Sequence, residues 1–146
     1  DINADDVNTA PGIGDPPQPY TGNGVIVGII DSGIDFNHAA FIKADGTSRI
    51  LSLWDQRGTV GDTGGVLPPA PHAYGKLYTQ TELSNDIASG TPHSVVGHMG
   101  GEHGTHVASI AAGNFVGFPG IATGADLIVV RLQCHPNWKS PVKHWL

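Results

Sequence analysis

Cysteine, basic residues and long apolar segments are all scarce in this sequence. Its 146 residues include one Cys, 7 Lys or Arg and 13 Asp or Glu, which gives a formal net charge of −6. A single Cys excludes an internal disulfide and a zinc site built from several thiolates. The acidic balance argues against nucleic acid as a partner. No apolar run approaches the roughly 18–20 residues that a membrane span requires, which argues against a membrane-spanning protein.

Methionine is equally scarce, and the chain does not start with it. The first residue is Asp1 and the one Met is Met99, so we expect a processed or truncated piece of a longer product. Its start shows no positively charged segment followed by an apolar stretch, so no signal peptide is visible. Gly and Pro are abundant instead, at 21 and 11 residues, which predicts many loops around a few regular elements.

Three short apolar segments are predicted to be strands, at residues 25–31, 49–55 and 126–132. The first is rich in β-branched residues without alternation, which is typical of a strand buried on both faces of a parallel sheet. The last is expected to present an apolar face and an unpaired edge, a route to self-association. Residues 1–24 are predicted to form an irregular arm, and residues 133–146 show no periodicity that would continue the domain.

Two helices are predicted between the second and third strands. Thr79 and Glu82 form a capping box and Gly90 is a stop signal, so a short helix is expected over Gln80–Ser89. A second helix is expected over His103–Ala112. Its apolar residues recur at spacings of three and four and are predicted to face the core, namely Val107, Ile110 and Ala111.

This order of elements predicts an α/β fold built on a βαβ crossover, with long loops inserted in the crossover. The Gly- and Pro-rich segment 58–75 is the clearest of these loops. Functional loops of βαβ units lie at the carboxyl ends of the strands. Asp31 ends the first strand and His103 begins the second helix, so both are expected at the same rim of the sheet.

Asp31 and His103 are the candidate chemical residues. Taken alone, each has a simpler interpretation, because an Asp after a strand caps the next turn and a His near a helix start assists its cap. Together they match an Asp that orients a His, which then activates a nucleophile, as in the serine hydrolases.

The motifs around these two residues resemble the subtilisin-like serine proteases, the subtilase family. The matching segments are Gly24-Val-Ile-Val-Gly-Ile-Ile-Asp-Ser-Gly-Ile-Asp35, His103-Gly-Thr-His-Val-Ala108 and Gly120-Ile-Ala-Thr-Gly-Ala-Asp-Leu127. The resemblance implies that residues 25–132 are the N-terminal portion of a subtilase catalytic domain, with a partial subtilisin-like fold, and that residues 133–146 are a tail outside the family pattern. It also implies peptide-bond hydrolysis in the intact parent, a polypeptide substrate and an extracellular location.

The same resemblance implies a role for each matched residue. Asp31 corresponds to the aspartate that orients the histidine, and His103 corresponds to the general base. The second histidine of the motif, His106, corresponds to a structural residue packed within the helix. The family carries its nucleophilic Ser and its oxyanion Asn further downstream, and neither motif occurs here. Ser48 follows Gly and Thr but precedes His103 and lacks the family's flanking residues, so it is interpreted as part of a turn and not as a nucleophile.

Two further features depart from the family. The resemblance implies a calcium-binding acid shortly after the Asp31 motif, but Ala40 stands there, so no calcium site and no other cofactor is predicted. The interval between Asp31 and His103 is also longer than in compact bacterial members. The extra length lies within residues 42–101, where it would form loops near the rim.

Three other functions stay open at this point. A non-catalytic subtilase fragment or binding module would keep the fold and lack the chemistry. A dinucleotide-binding domain is disfavoured because its glycines, Gly22 and Gly24, precede the strand instead of following it. A metal-binding module would use a cluster whose spacing matches no established zinc motif, namely His98, Glu102, His103 and His106.

Overall fold

A computed structural model describes residues 19–57, 66, 71–72, 74–90 and 102–133 of the chain. Within these ranges four strands form one sheet in the order β1-β4-β2-β3, and two helices accompany it. The elements are β1 Ile26–Asp31, β2 Ile50–Asp55, β3 Lys76–Thr79, α1 Gln80–Ser89, α2 Glu102–Ala112 and β4 Asp126–Arg131, with a 3-10 turn at Ala39–Phe41. The α/β fold predicted from the sequence is confirmed.

The predicted parallel pairing of the first and last strands is present. β1 and β4 run parallel in register from Ile26 beside Asp126 to Asp31 beside Arg131, and β4 also pairs in parallel with β2. β3 pairs antiparallel with β2 and was not predicted. With four residues, this strand is too short for an alternating apolar pattern to distinguish it from the preceding loop.

The prediction that β4 has an unpaired edge is wrong. β4 lies between β1 and β2, and both of its edges carry ladders. Leu127 and Val129 of this strand are fully buried, as expected of a central position. Among the described strands the sheet ends at β1, which pairs with β4 alone.

The prediction that β1 is buried on both faces is also wrong. Ile29 belongs to the core, together with Leu127 and Val129 of β4 and with residues of both helices. The other face is open, since Ile26 and Ile30 are 55% and 67% exposed. Both described helices contribute to one core on one face of the sheet, so the described part has two layers.

Helix α1 matches its prediction at both ends. The Thr79 hydroxyl accepts a hydrogen bond from the Glu82 N–H at 3.3 Å, and the Thr79 N–H donates to Glu82 Oε2 at 2.8 Å. Gly90 ends the helix in the left-handed region, with φ of 60°. Both signals lie within the helix or directly beside it in sequence, so its bounds could be predicted from the sequence.

Helix α2 forms where predicted but buries a largely different face. The buried residues are Gly104, Ala108 and Ala112, whereas Val107 and Ile110 are exposed. Of the three residues predicted to share the apolar face, Ala111 packs partly buried against the core. A helix approaches a sheet most closely through its smallest side chains, and the apolar period could not reveal this choice. The close approach brings the start of α2 against the end of β1.

Arg49, which directly precedes β2, stabilises the packing of α2 against the sheet. Its buried guanidinium donates to the carbonyl oxygens of Ala40 at 2.9 Å, of Ala122 at 3.3 Å and, through Nε, of Ala125 at 3.2 Å. It also donates to Ala112, the last residue of α2. A cation is favourable at a helix C-terminus, where carbonyl groups lack helical partners. Arg49 therefore joins α2 to the segment that enters β4.

Several sequence predictions lie outside the described residues. These are most of the N-terminal arm, most of the 58–75 loop, the segment before α2 and most of the 133–146 tail. In the described ranges the two helices have 10 and 11 residues, and neither is long and apolar enough to cross a membrane.

Candidate active site

Asp31 is the last residue of β1, where the parallel sheet delivers it to the carboxyl rim. Its backbone carbonyl accepts a hydrogen bond from the Leu132 N–H at 2.8 Å, which continues the ladder past β4. The side chain lies next to the start of α2 and is 18% exposed. Asp31 is thus held by backbone pairing on one side and by the helix on the other.

The structure brings Asp31 and His103 together. His103 Nδ1 lies 2.8 Å from Asp31 Oδ1 and 2.9 Å from Asp31 Oδ2. These distances fall within the ~2.6–3.2 Å of a catalytic hydrogen bond. The His103 side chain is 77% exposed. The pair therefore lies at the surface of the rim, with the imidazole open to solvent.

The charge of Asp31 determines which nitrogen of His103 carries the proton. Burial acts to raise the pKa of Asp31, but the Ser32 N–H, the His103 ring and the Ser32 hydroxyl outweigh it, so the pKa lies below its usual value. At neutral pH the carboxylate is ionised and only accepts hydrogen bonds. His103 must then carry a proton on Nδ1, which leaves the Nε2 lone pair of the neutral ring available as a base.

Gly104 permits this approach. A Cβ added at residue 104 would lie 2.0 Å from the carbonyl oxygen of Gly33 and 3.1 Å from Asp31 Cβ. The first contact is with backbone and cannot be relieved by a rotamer change. The glycine that follows His103 is therefore a steric requirement of the contact between α2 and β1.

Gly104→Ala is expected to lower the free energy of unfolding by about 3 kcal/mol, at the upper end of the usual cost of overpacking. Gly28→Ala is the matched control, because a Cβ there meets nothing within 4 Å. Urea unfolding of both variants measures the difference. Equal stabilities would contradict the close approach.

Three of the four residues considered as metal ligands lie in the described part of the chain, and there they form no metal site. Glu102 and His106 are exposed on α2, and His98 lies outside the described residues. In the part of the chain that the structure describes, no group of three His, Cys, Asp or Glu side chains is placed to hold a metal ion. The exposure of His106 also differs from the packed position that the resemblance implied.

Ser48 and Ala40 each have a structural environment. Ser48 is fully buried, and its hydroxyl accepts a hydrogen bond from the Ile50 N–H at 3.0 Å, so it is closed to a substrate. Ala40 is also buried, and its carbonyl oxygen accepts bonds from Arg49 and from the Asn114 N–H. Position 40 supplies no side-chain oxygen, so this residue does not fit the calcium ligand that the family resemblance implies.

A buried ion pair lies next to Asp31 and was not predicted from the sequence. Arg131 ends β4 beside Asp31, and its Nη1 lies 2.9 Å from Asp55 Oδ2 at the end of β2. The side chains of Arg131 and Asp55 are 7% and 3% exposed. Three apolar strands each end in a charged residue, namely Asp31, Asp55 and Arg131, and this recurrence in the sequence was the signal that could have revealed the ion pair.

An Asp-His pair at the carboxyl rim of an α/β sheet resembles the acid and base of a serine hydrolase centre. Comparison with known proteins identifies the class, because the sequence matches the subtilase family over residues 22–142. The chain belongs to this family.

The similar proteins are proteases. Subtilisin-like proteases SBT2.1 and SBT2.2 of Arabidopsis thaliana are 29% and 30% identical over 77% and 64% of this chain. The solved structure of the CspB protease of Clostridium perfringens superposes with a TM-score of 0.61 and 31% identity over 78% of the chain. The chain spans 14% and 11% of the length of the two plant proteins and 22% of the CspB chain.

Proposed function

We propose that this chain supplies the acid and base of a serine endopeptidase whose nucleophile lies outside it. The observation that carries the proposal is the contact of Asp31 with Nδ1 of His103, at 2.8 Å. Similarity to subtilisin-like proteases supports a polypeptide substrate and an extracellular location for the intact parent. No cofactor is part of the proposed chemistry.

Each residue has one task in this mechanism. Asp31 keeps the proton of His103 on Nδ1 and stabilises the imidazolium that forms during the reaction. His103 removes the serine proton through Nε2 and then delivers it to the leaving amine. An exposed imidazole suits this task, because a second element must reach Nε2 from the solvent side.

The 146-residue chain alone is expected to show no peptidase turnover. Acyl transfer also needs a nucleophile and an oxyanion hole. The one serine in a Gly-Thr-Ser sequence, Ser48, is buried. The measurement is hydrolysis of a fluorogenic peptide, with a serine-reactive phosphonate as the control. Turnover that the phosphonate blocks, with a labelled serine inside the chain, would contradict this expectation.

Extension of the chain provides the positive test. We expect turnover from a longer protein in which the reading frame continues past Leu132 into a Gly-Thr-Ser block with the family's Ala and Pro. An extended protein that folds, carries this block and still hydrolyses no peptide would favour the alternative, a non-catalytic subtilase module. This alternative remains open because the chain matches only a small part of the length of each similar protease.

A further inference from the structure

Two hydroxyl groups connect the turn after β1 to the start of α2 in opposite directions. The Ser32 hydroxyl, from the turn, accepts a hydrogen bond from the Gly104 N–H at 3.2 Å. The Thr105 hydroxyl, from the helix, accepts one from the Asp35 N–H at 2.8 Å. Each segment therefore gives one hydroxyl and one backbone N–H to the other.

Ser32 acts as a helix cap from a distant part of the chain. The first N–H groups of a helix have no helical partner, and a serine oxygen commonly satisfies one of them. Here the serine lies 72 residues before Gly104, in the strand-end turn, and not in the segment that precedes the helix. The cap of α2 is thus tied to the position of Asp31.

Ser32 also contacts the carboxylate directly. Its N–H donates to Asp31 Oδ1 at 2.6 Å, and its hydroxyl is among the donors that lower the pKa of Asp31. The same hydroxyl oxygen accepts from Gly104, the residue after His103. Hydrogen bonds in such a chain reinforce one another. One side chain therefore connects the carboxylate to the helix that carries the imidazole.

We propose that Ser32 and Thr105 are positioning residues for the Asp31–His103 pair, which they hold by two opposed hydrogen bonds between the turn and the helix. The two helix residues bonded to the turn directly follow His103. Loss of either bond frees the start of α2 to move relative to Asp31. The catalytic meaning of this inference rests on the proposed function, whereas the geometry can be tested without turnover.

The test uses the tautomer of His103 in the 146-residue chain, labelled with 15N at histidine and studied at dilute concentration. Long-range 1H–15N spectra distinguish a proton on Nδ1 from one on Nε2. In the parent chain the Nδ1–H form is expected. In Ser32→Ala and Thr105→Val we expect a mixture of both forms, because the carboxylate no longer faces the ring in one orientation. Thr105→Ser, which keeps the hydroxyl, is expected to restore the parent signal.

Ser84→Ala is the matched control. Its hydroxyl accepts from the Ser48 N–H at 3.0 Å and so joins α1 to the start of β2, away from the rim. This variant is expected to lower the urea midpoint and to leave His103 as in the parent. If Ser32 and Thr105 had a purely structural role, Ser32→Ala and Thr105→Val would behave like Ser84→Ala, with a lower urea midpoint and the parent His103 spectrum. Unchanged His103 spectra in Ser32→Ala and Thr105→Val would therefore overturn the proposal, as would a change in Ser84→Ala.

Either test variant decides the matter if the other does not fold, because each removes a different bond. Failure of the proposed function has a separate signature. An extended protein without hydrolysis would remove the catalytic role and leave the tautomer results as they are. Hydrolysis with a variant-insensitive tautomer would retain the protease and remove the positioning role.

Discussion

Asp31→Asn, in an extended protein that carries the nucleophilic serine, is expected to lower kcat by about 10⁴-fold with the fold intact. The Asn side chain can donate a hydrogen bond to His103 Nδ1, which favours the tautomer with the proton on Nε2 and leaves no Nε2 lone pair to act as the base. His103→Gln removes the base itself, and we expect a loss of at least the same order. Initial rates with a fluorogenic peptide measure both effects.

Matched controls separate these roles from general damage. Asp45→Asn makes the same change in an exposed turn, where the carboxylate accepts hydrogen bonds from the N–H and the hydroxyl of Thr47. His106→Gln replaces the second histidine of the motif, which is exposed on α2. Both variants are expected to keep rates within a few-fold of the parent. A parent-like rate in Asp31→Asn would refute the assignment of the pair.

Arg131→Met is expected to lower the free energy of unfolding by about 3–5 kcal/mol, because it leaves the Asp55 carboxylate buried without its ion-pair partner. The bond from the Arg57 N–H to Asp55 Oδ1, at 2.9 Å, would remain. The double variant Asp55→Leu/Arg131→Met is expected to recover most of the loss, since an apolar pair needs no charge compensation. Urea unfolding at neutral pH measures all three chains.

Lys43→Met provides the comparison for an exposed pair. Lys43 Nζ lies 3.0 Å from Asp126 Oδ1, and the two side chains are 35% and 34% exposed. Pairs of this kind contribute about 0–1 kcal/mol. A loss in Arg131→Met no larger than that in Lys43→Met would show that the Asp55–Arg131 pair is not effectively buried.

Local signals predicted the elements well, because each depends on neighbours in sequence. The capping box of α1 and the apolar strands β1, β2 and β4 were found within one or two residues of their ends. The buried face of α2 was not predicted correctly, since whether Ala108 or Ile110 is buried depends on the distance between the helix and the sheet. The open face of β1 was missed for the same reason.

At the candidate site, the motif predicted that Asp31 and His103 lie together at the rim, but not which residues hold them there. Asp31 and His103 could be named because their flanking residues form a recognisable pattern. Ser32 and Thr105 stand in the same motifs, yet their bonds join residues 72 and 70 positions apart. The role of Arg49 was even harder to predict from the sequence, because its partners are backbone carbonyl groups, which every residue has.

The pairing of β1 has a consequence for the order of folding. Its one described neighbour, β4, begins at Asp126, in register with Ile26 and 100 positions later. Pairings so distant in sequence form late, because the intervening chain must first be ordered or closed. During synthesis β1 therefore emerges about 100 residues before β4, the strand that pairs with it in the described part of the chain. A ribosome paused between residues 104 and 125 would hold a nascent chain that contains both Asp31 and His103 but lacks the β1–β4 ladder beside them.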